Sequence, residues 1–221
     1  MSGFQGFGEY AVDFYDGLVA DNSKSYWDAN KQTYDSDVRD PMKALLTELE
    51  PEFGGDFGSP KVFRPHRDVR FAKDKRPYKD HCGGVIEAGR GAGAYYVEVG
   101  PDGLRVGGGC FHLESDQLAR FRAAVAEEIH GEPFRAILAK LERTGWTIRG
   151  DRLRTTPRGV PKDHPRLSLL QYRSVYAVRV WEPDDTLHER GTFTRVRDAW
   201  RQLRPFNEWA RDHVGLSERA R

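Results

Sequence analysis

The sequence predicts an α+β fold, a single domain in which a central, largely antiparallel sheet is flanked by helices. Near both ends of the chain, apolar residues recur at three- and four-residue spacing, as on the buried stripe of a helix. In the middle the period drops to two, in short runs rich in Val, Tyr and Gly that suit half-buried strands. The two patterns are segregated, which argues against a regular βα array around a parallel sheet. With 221 residues, 38% apolar and 12% aromatic, the chain can bury one sizeable core. No repeat and no Ser/Gly/Pro-rich linker divides it, so residues 1–221 are expected to form one domain.

Taken in order, Glu9 to Ala20 places Tyr10, Phe14 and Leu18 on one helical face. Asn22 or Ser23 can cap a longer stretch, Lys24 to Glu50, whose stripe includes Trp27, Tyr34, Val38, Met42, Leu45, Leu46 and Leu49. Pro41 should kink or restart it, because proline has no N–H and crowds the preceding turn. Gly54, Gly55, Gly58 and Pro60 end it. Three strands follow, Cys82 to Ala88, Ala94 to Val99 and Leu104 to Phe111. Joined by GRGAG and by Gly100-Pro101-Asp102-Gly103, they should form an antiparallel meander. Glu114 or Ser115 opens a helix with Leu118, Phe121, Val125 and Ile129 on one face, and a separate helix, Phe134 to Leu141, is expected after Gly131 and Pro133. Trp146 to Arg149 and Arg152 to Arg154 have the pattern of a short hairpin about Gly150-Asp151. Tyr172 to Trp181 is the last strand, and Thr192 to Val214 the closing helix, with Val196, Trp200, Leu203 and Phe206 turned inward.

Charge narrows the function classes. A formal net charge of +1 excludes the domain-wide positive field of a general nucleic-acid coat or polybasic membrane binder, so any anion binding must be local. No apolar run approaches the roughly 20 residues that span a bilayer, and the amino-terminal MSGFQGFGEYAVDFY lacks the basic start and apolar core of a signal peptide. The expectation is a cytoplasmic protein without a membrane partner. Cys82 and Cys110 have neither Cys-x-x-Cys nor Cys/His cadence around them and are expected to be free, buried thiols.

Positive charge is concentrated in Lys61 to His81, KVFRPHRDVRFAKDKRPYKDH, where eight Lys/Arg face three Asp. Arg64, Arg67 and Arg70 recur at three-residue spacing, and guanidinium forks suit bidentate contact with phosphate or carboxylate. Pro77 biases Arg76 toward an extended backbone, so Tyr78 and Lys79 enter the meander from a rigid turn. The segment is therefore a candidate pocket for a small phosphorylated or carboxylated ligand, built from Arg64, Arg67, Asp68, Arg70, Asp74, Lys75, Tyr78 and Lys79. Two alternatives stand beside this reading. The arginines could be consumed by Asp68, Asp74 and Asp80 in holding an irregular loop together. Alternatively, the segment could belong to a non-catalytic module that binds nucleic-acid backbone or an acidic protein partner, a reading that overall neutrality disfavours.

A second cluster, Thr156-Pro157-Arg158-Gly159 with Lys162-Asp163-His164-Pro165, precedes the last strand. Arg158 beside a glycine can approach a ligand closely, and His164 titrates near neutrality; the plain alternative is a proline-stiffened surface loop. Folded back on the first segment, the loop would close the pocket with Arg158 and His164. His164 and His66 are then the candidate bases, with Asp68 or Asp74 to orient one of them and Asp68 itself a third catalytic candidate. Familiar signatures are missing. Gly107-Gly108-Gly109 leads into Cys110-Phe111-His112 rather than a helix, so it is no phosphate loop, and there is no GxSxG. His112 and Glu114 lack a further ligand at metal-binding spacing, so no metal is expected, and no cofactor is indicated. Trp27, Tyr34, Trp200 and Trp209 are expected in the core.

The string Phe63-Arg64-Pro65-His66-Arg67-Asp68-Val69-Arg70-Phe71, continued by Asp74-Lys75 and Pro77-Tyr78-Lys79, resembles the signature of the domain of unknown function 2461 family. Asn22 to Trp27 followed by Tyr34, the Gly107-Gly108-Gly109 triplet, Pro157-Arg158-Gly159 and His164-Pro165 resemble the same family in the same order, over roughly residues 12 to 210. The resemblance implies a single α+β domain with these residues in one site. It implies no particular reaction, cofactor or substrate.

Overall fold

Alternation along the central strands decides which way the sheet faces. The computed structural model describes residues 3–87 and 93–219. In it, β2 (Cys82–Glu87), β3 (Ala94–Gly100) and β4 (Gly103–Cys110) form the expected antiparallel meander. Cys82 and Ile86, Tyr95, Val97 and Val99, and Leu104, Val106 and Cys110 turn into one hydrophobic core. Their neighbours Val85, Tyr96, Glu98 and Arg105 turn to the other face, as a two-residue period requires. The edges are completed by β1 (Pro60–Val62), β5 (Thr147–Arg149) and β6 (Val175–Trp181), giving six antiparallel strands in the order β1-β2-β3-β4-β6-β5. Of the expected GRGAG connection, residues 89–92 lie outside those described, as does Ala88.

Helices cover the core face of the sheet. Among them α1 (Ala11–Ala20) packs on β3, α3 (Asp40–Phe53) on β1 and β2, and α7 (Gly191–His213) along β4. Gly108 is what allows α7 to lie so close. A Cβ there would stand 2.8 Å from the Ala94 carbonyl oxygen and 2.9 Å from Leu203 Cδ1. The glycine triplet therefore serves packing inside β4. Trp27, Tyr34, Trp200 and Trp209 are buried, as expected.

Several local expectations give way to longer-range forces. The stretch after Asn22 runs as α2 (Lys24–Thr33), a π-helical segment Tyr34–Arg39, and α3. Pro41 has no N–H to give back along the helix, and the backbone widens just ahead of it, the Asp40 N–H reaching Asp35. The break between α4 (Ser115–Ala126) and α5 (Glu128–Arg143) falls at Glu127, so Gly131 and Pro133 lie inside α5 and Ile129 is 75% exposed rather than buried. Arg166, only 5% exposed, moves that break. Its guanidinium donates to the carbonyls of Val125 at 2.7 Å and Ala126 at 2.8 Å and to Glu132 at 3.0 Å, closing the junction from outside. The expected hairpin is also corrected: β5 pairs with β6, while Arg152 makes only an isolated bridge to Tyr172. Three residues gain more from adding an edge to a six-stranded sheet, with Ile148 packed against the core, than from a local pair.

Candidate functional site

The basic segment leaves β1 and returns into β2 as an irregular hairpin. Its base is paired by Arg67 N–H to Pro77 O and Lys79 N–H to Pro65 O, each 2.8 Å, with a bridge between His66 and Tyr78. Helix α2 supplies the floor. Trp27 stacks face to face on Tyr78, with ring centroids 4.5 Å apart and planes within 8°, and His66 leans on both rings. Asn22 pins the Tyr78 backbone on both sides, accepting its N–H at 3.0 Å and donating to its carbonyl at 3.2 Å. Buried Tyr78 thus serves as a fixed platform.

The tip of the hairpin is closed by its own acids. Asp74 accepts from Arg76 Nε at 2.9 Å and from Arg67 Nη1 at 2.7 Å, and the Arg76 and Arg67 donors hold its carboxyl well below the usual range. Asp68 takes both a side-chain and a backbone donor from Arg70, which lowers its pKa, and Arg64 adds a favourable field. Lys75 Nζ donates to the carbonyls of Val69 and Arg70. For Arg70, Asp74 and Lys75, the loop-holding alternative therefore describes what the side chains do.

Arg64 and Lys79 differ: among the described residues neither has a carboxylate within ion-pair distance. Both line a recess of about 510 Å³, together with His66, Arg67, Asp68, Arg76 and Tyr78. Burial lowers the Lys79 pKa, and the neighbouring Arg64 charge adds to the shift. Lys79 Nζ also rests over the Phe63 ring, 5.1 Å from its centroid.

The far wall of the recess was not anticipated. It is formed by Asp80 and His81, with His81 Nδ1 held 2.9 Å from Asp80 Oδ1. Burial pushes the Asp80 carboxyl up, but the His81 hydrogen bond and the Arg76 charge outweigh it and leave the pKa lowered. Nε2 of His81 faces Glu98 Oε2 at 3.7 Å; Glu98 also binds Arg105 at 2.6 Å and accepts the Tyr96 hydroxyl. Burial, reinforced by Glu98, raises the Tyr96 pKa. Two sequence signals could have found this wall. Asp80-His81 immediately follows the motif, and Glu98 is a carboxylate in an otherwise apolar strand.

The second cluster does not join the recess. It follows β5, at the opposite edge of the sheet from β1, and five strand intervals amount to about 24 Å. Arg158 is exposed in a turn at Gly159, whose φ is +83°. Nδ1 of His164 accepts the Arg166 N–H at 3.0 Å, so the ring helps set the start of α6 (Leu167–Leu170) beside the α4–α5 junction. Neither residue lines the cavity. Folding that loop back would require its chain to cross the sheet, while Arg166 anchors it to the helices instead.

A mixed α+β scaffold with an arginine-lined recess beside its sheet is thus what fold and geometry define. A family model described as Conserved hypothetical protein (DUF2461) matches residues 10–209, and the chain belongs to that family. No curated protein matches it.

Proposed function

We propose that this protein binds a small phosphorylated or carboxylated molecule in the recess between the hairpin and β2, with Arg64 and Lys79 as its primary contacts. The observation that carries the reading is that these two cations line a cavity without a carboxylate partner among the described residues, while their neighbours Arg67, Arg70 and Arg76 are already paired. A phosphate or carboxylate would supply the missing charge and accept several charge-assisted hydrogen bonds. Recess and overall neutrality favour a small ligand over nucleic-acid backbone or an acidic protein partner, which need an extended positive surface. His66, His81, Asp68 and Asp80 line the same cavity and are the candidates for proton transfer to or from a bound anion. Two buried free thiols suit a reducing compartment, in keeping with a cytoplasmic protein.

The test is a thermal-shift titration with inorganic phosphate, pyrophosphate and citrate, at constant ionic strength. Saturable stabilisation by at least one of them, absent in the Arg64→Ala/Lys79→Ala double variant, is expected. No stabilisation, or stabilisation retained by the double variant, would refute the reading.

A further inference from the structure

Two further hollows adjoin the recess. Asp80 and His81 separate it from a second hollow of about 240 Å³, and Glu98, Arg105 and Val180 separate that hollow in turn from a third of about 470 Å³. The third hollow lies on the face of the sheet opposite α1, α3 and α7. Its floor carries a row of rings, each in contact with the next. Phe63 and Tyr96 have centroids 6.3 Å apart, Tyr96 and Phe111 5.7 Å, and Phe111 and Tyr176 4.7 Å with planes at 29°.

The cationic and aromatic ends touch. Lys79 lines the first cavity and lies over Phe63, which lines the third, so a ligand leaving the Arg64 side meets a ring within one side-chain length. The rings lie low because glycines let them: a Cβ at Gly83 would stand 2.7 Å from Tyr96 Oη and 3.1 Å from Phe63 Cδ2. Phe111 nevertheless remains 36% exposed. Glu98 at the junction has its charge met by Arg105, so it need not repel an anion nearby.

We propose that the ligand is a two-part molecule, in which a phosphate or carboxylate sits at Arg64 and Lys79 and a flat apolar or aromatic ring lies on Phe63, Tyr96 and Phe111. The proposal rests on the anion-binding reading above and adds the substrate class: a mononucleotide-sized aryl or heteroaryl phosphate or carboxylate, as opposed to a bare inorganic or aliphatic anion. The occupant follows from the Lys79–Phe63 contact, which sets the ring row beside the cationic recess, and from ring faces that suit stacking, which is tolerant of ring identity.

Calorimetric titration with inorganic phosphate, ethyl phosphate, 1-naphthyl phosphate and a nucleoside monophosphate tests it, on wild type and on Phe111→Ala, Phe63→Leu and Arg64→Ala/Lys79→Ala. The wild type should bind the ring-bearing phosphates at least about tenfold more tightly than ethyl phosphate, in the range expected for one stacked ring. Phe111→Ala and Phe63→Leu should each reduce that advantage, Phe111→Ala erasing most of it, and unchanged inorganic phosphate binding in each shows that the variant is folded. The double variant should lose all four ligands. Equal affinity for ethyl and naphthyl phosphate, with phosphate binding intact, would overturn this inference and leave the anion site standing. Loss of neither class in the double variant would overturn both. Affinity for oligonucleotides that rises steadily with length beyond one nucleotide would replace the small ligand by a single strand and also overturn it.

Discussion

Replacing Asn22 by Ala tests how the site is held in shape. Its amide makes two hydrogen bonds, at 3.0 and 3.2 Å, to the backbone of Tyr78, and Tyr78 is only 5% exposed. Neither backbone group is given another partner by the hairpin, whose base bonds run through residues 65, 67, 77 and 79. Each bond contributes about 0.5–1.5 kcal/mol net, and leaving a buried backbone group unpaired costs ~1–3 kcal/mol, so the truncation should cost about 2 kcal/mol. For a chain of this size that corresponds to a Tm lowered by ~4–8 °C. Differential scanning calorimetry measures it directly. Asn22→Asp, which keeps the acceptor for the Tyr78 N–H but sets a carboxylate against its carbonyl, should lose a similar amount or more. The phosphate affinity of Asn22→Ala should fall as well, since the Tyr78 platform under the recess loosens. A Tm within about 1 °C of wild type would refute the reasoning that Asn22 pins the hairpin.

Gly108→Val should lower stability by about 1–3 kcal/mol in chemical denaturation, because the added carbons meet Ala94 O of β3 and Leu203 Cδ1 of α7. Burial pushes the Cys82 thiol up to about 11, against the Tyr34 hydrogen bond, and Cys110 up to about 12. Neither should react with a disulfide reagent at pH 8 until the protein is unfolded, when both should. Asp116 is pulled down to about 2 because the Ser217 hydroxyl and the Glu218 and Gln117 N–H groups outweigh its burial. Its folded pKa lies below its unfolded value, so its contribution is present above about pH 4 and is lost as pH falls toward 2. Urea midpoints across that range should fall less steeply for Asp116→Asn than for wild type.

The meander was legible because alternation and the Gly100 to Gly103 turn are local properties, and each strand's buried set is fixed by its own two-residue period. The partner of β5 was not. Three residues carry no period, and the sheet edge chose for them. Gly131 and Pro133 are common helix punctuation, yet a buried guanidinium 33 residues beyond Pro133 set the break at Glu127. The same contact separates His164 and Arg158 from the candidate site, although proximity in charge and motif had suggested joining them. Within the basic segment, charge marks the candidate but does not say which cations are spent. That depends on hairpin geometry, which pairs Arg67 and Arg76 with Asp74 and leaves Arg64 and Lys79 to the recess. The aromatic row is not visible in the sequence because Phe63, Tyr96, Phe111 and Tyr176 come from four separate segments of chain.

The most direct measurement of the central claim is a crystal of the native protein soaked with tungstate, whose tetrahedral dianion mimics phosphate and whose anomalous signal locates it without ambiguity. The account predicts a tungstate in the recess, with oxygens within about 3.2 Å of both the Arg64 guanidinium and Lys79 Nζ, and none there in the Arg64→Ala/Lys79→Ala variant. Tungstate bound elsewhere on the surface while the recess stays vacant would contradict it.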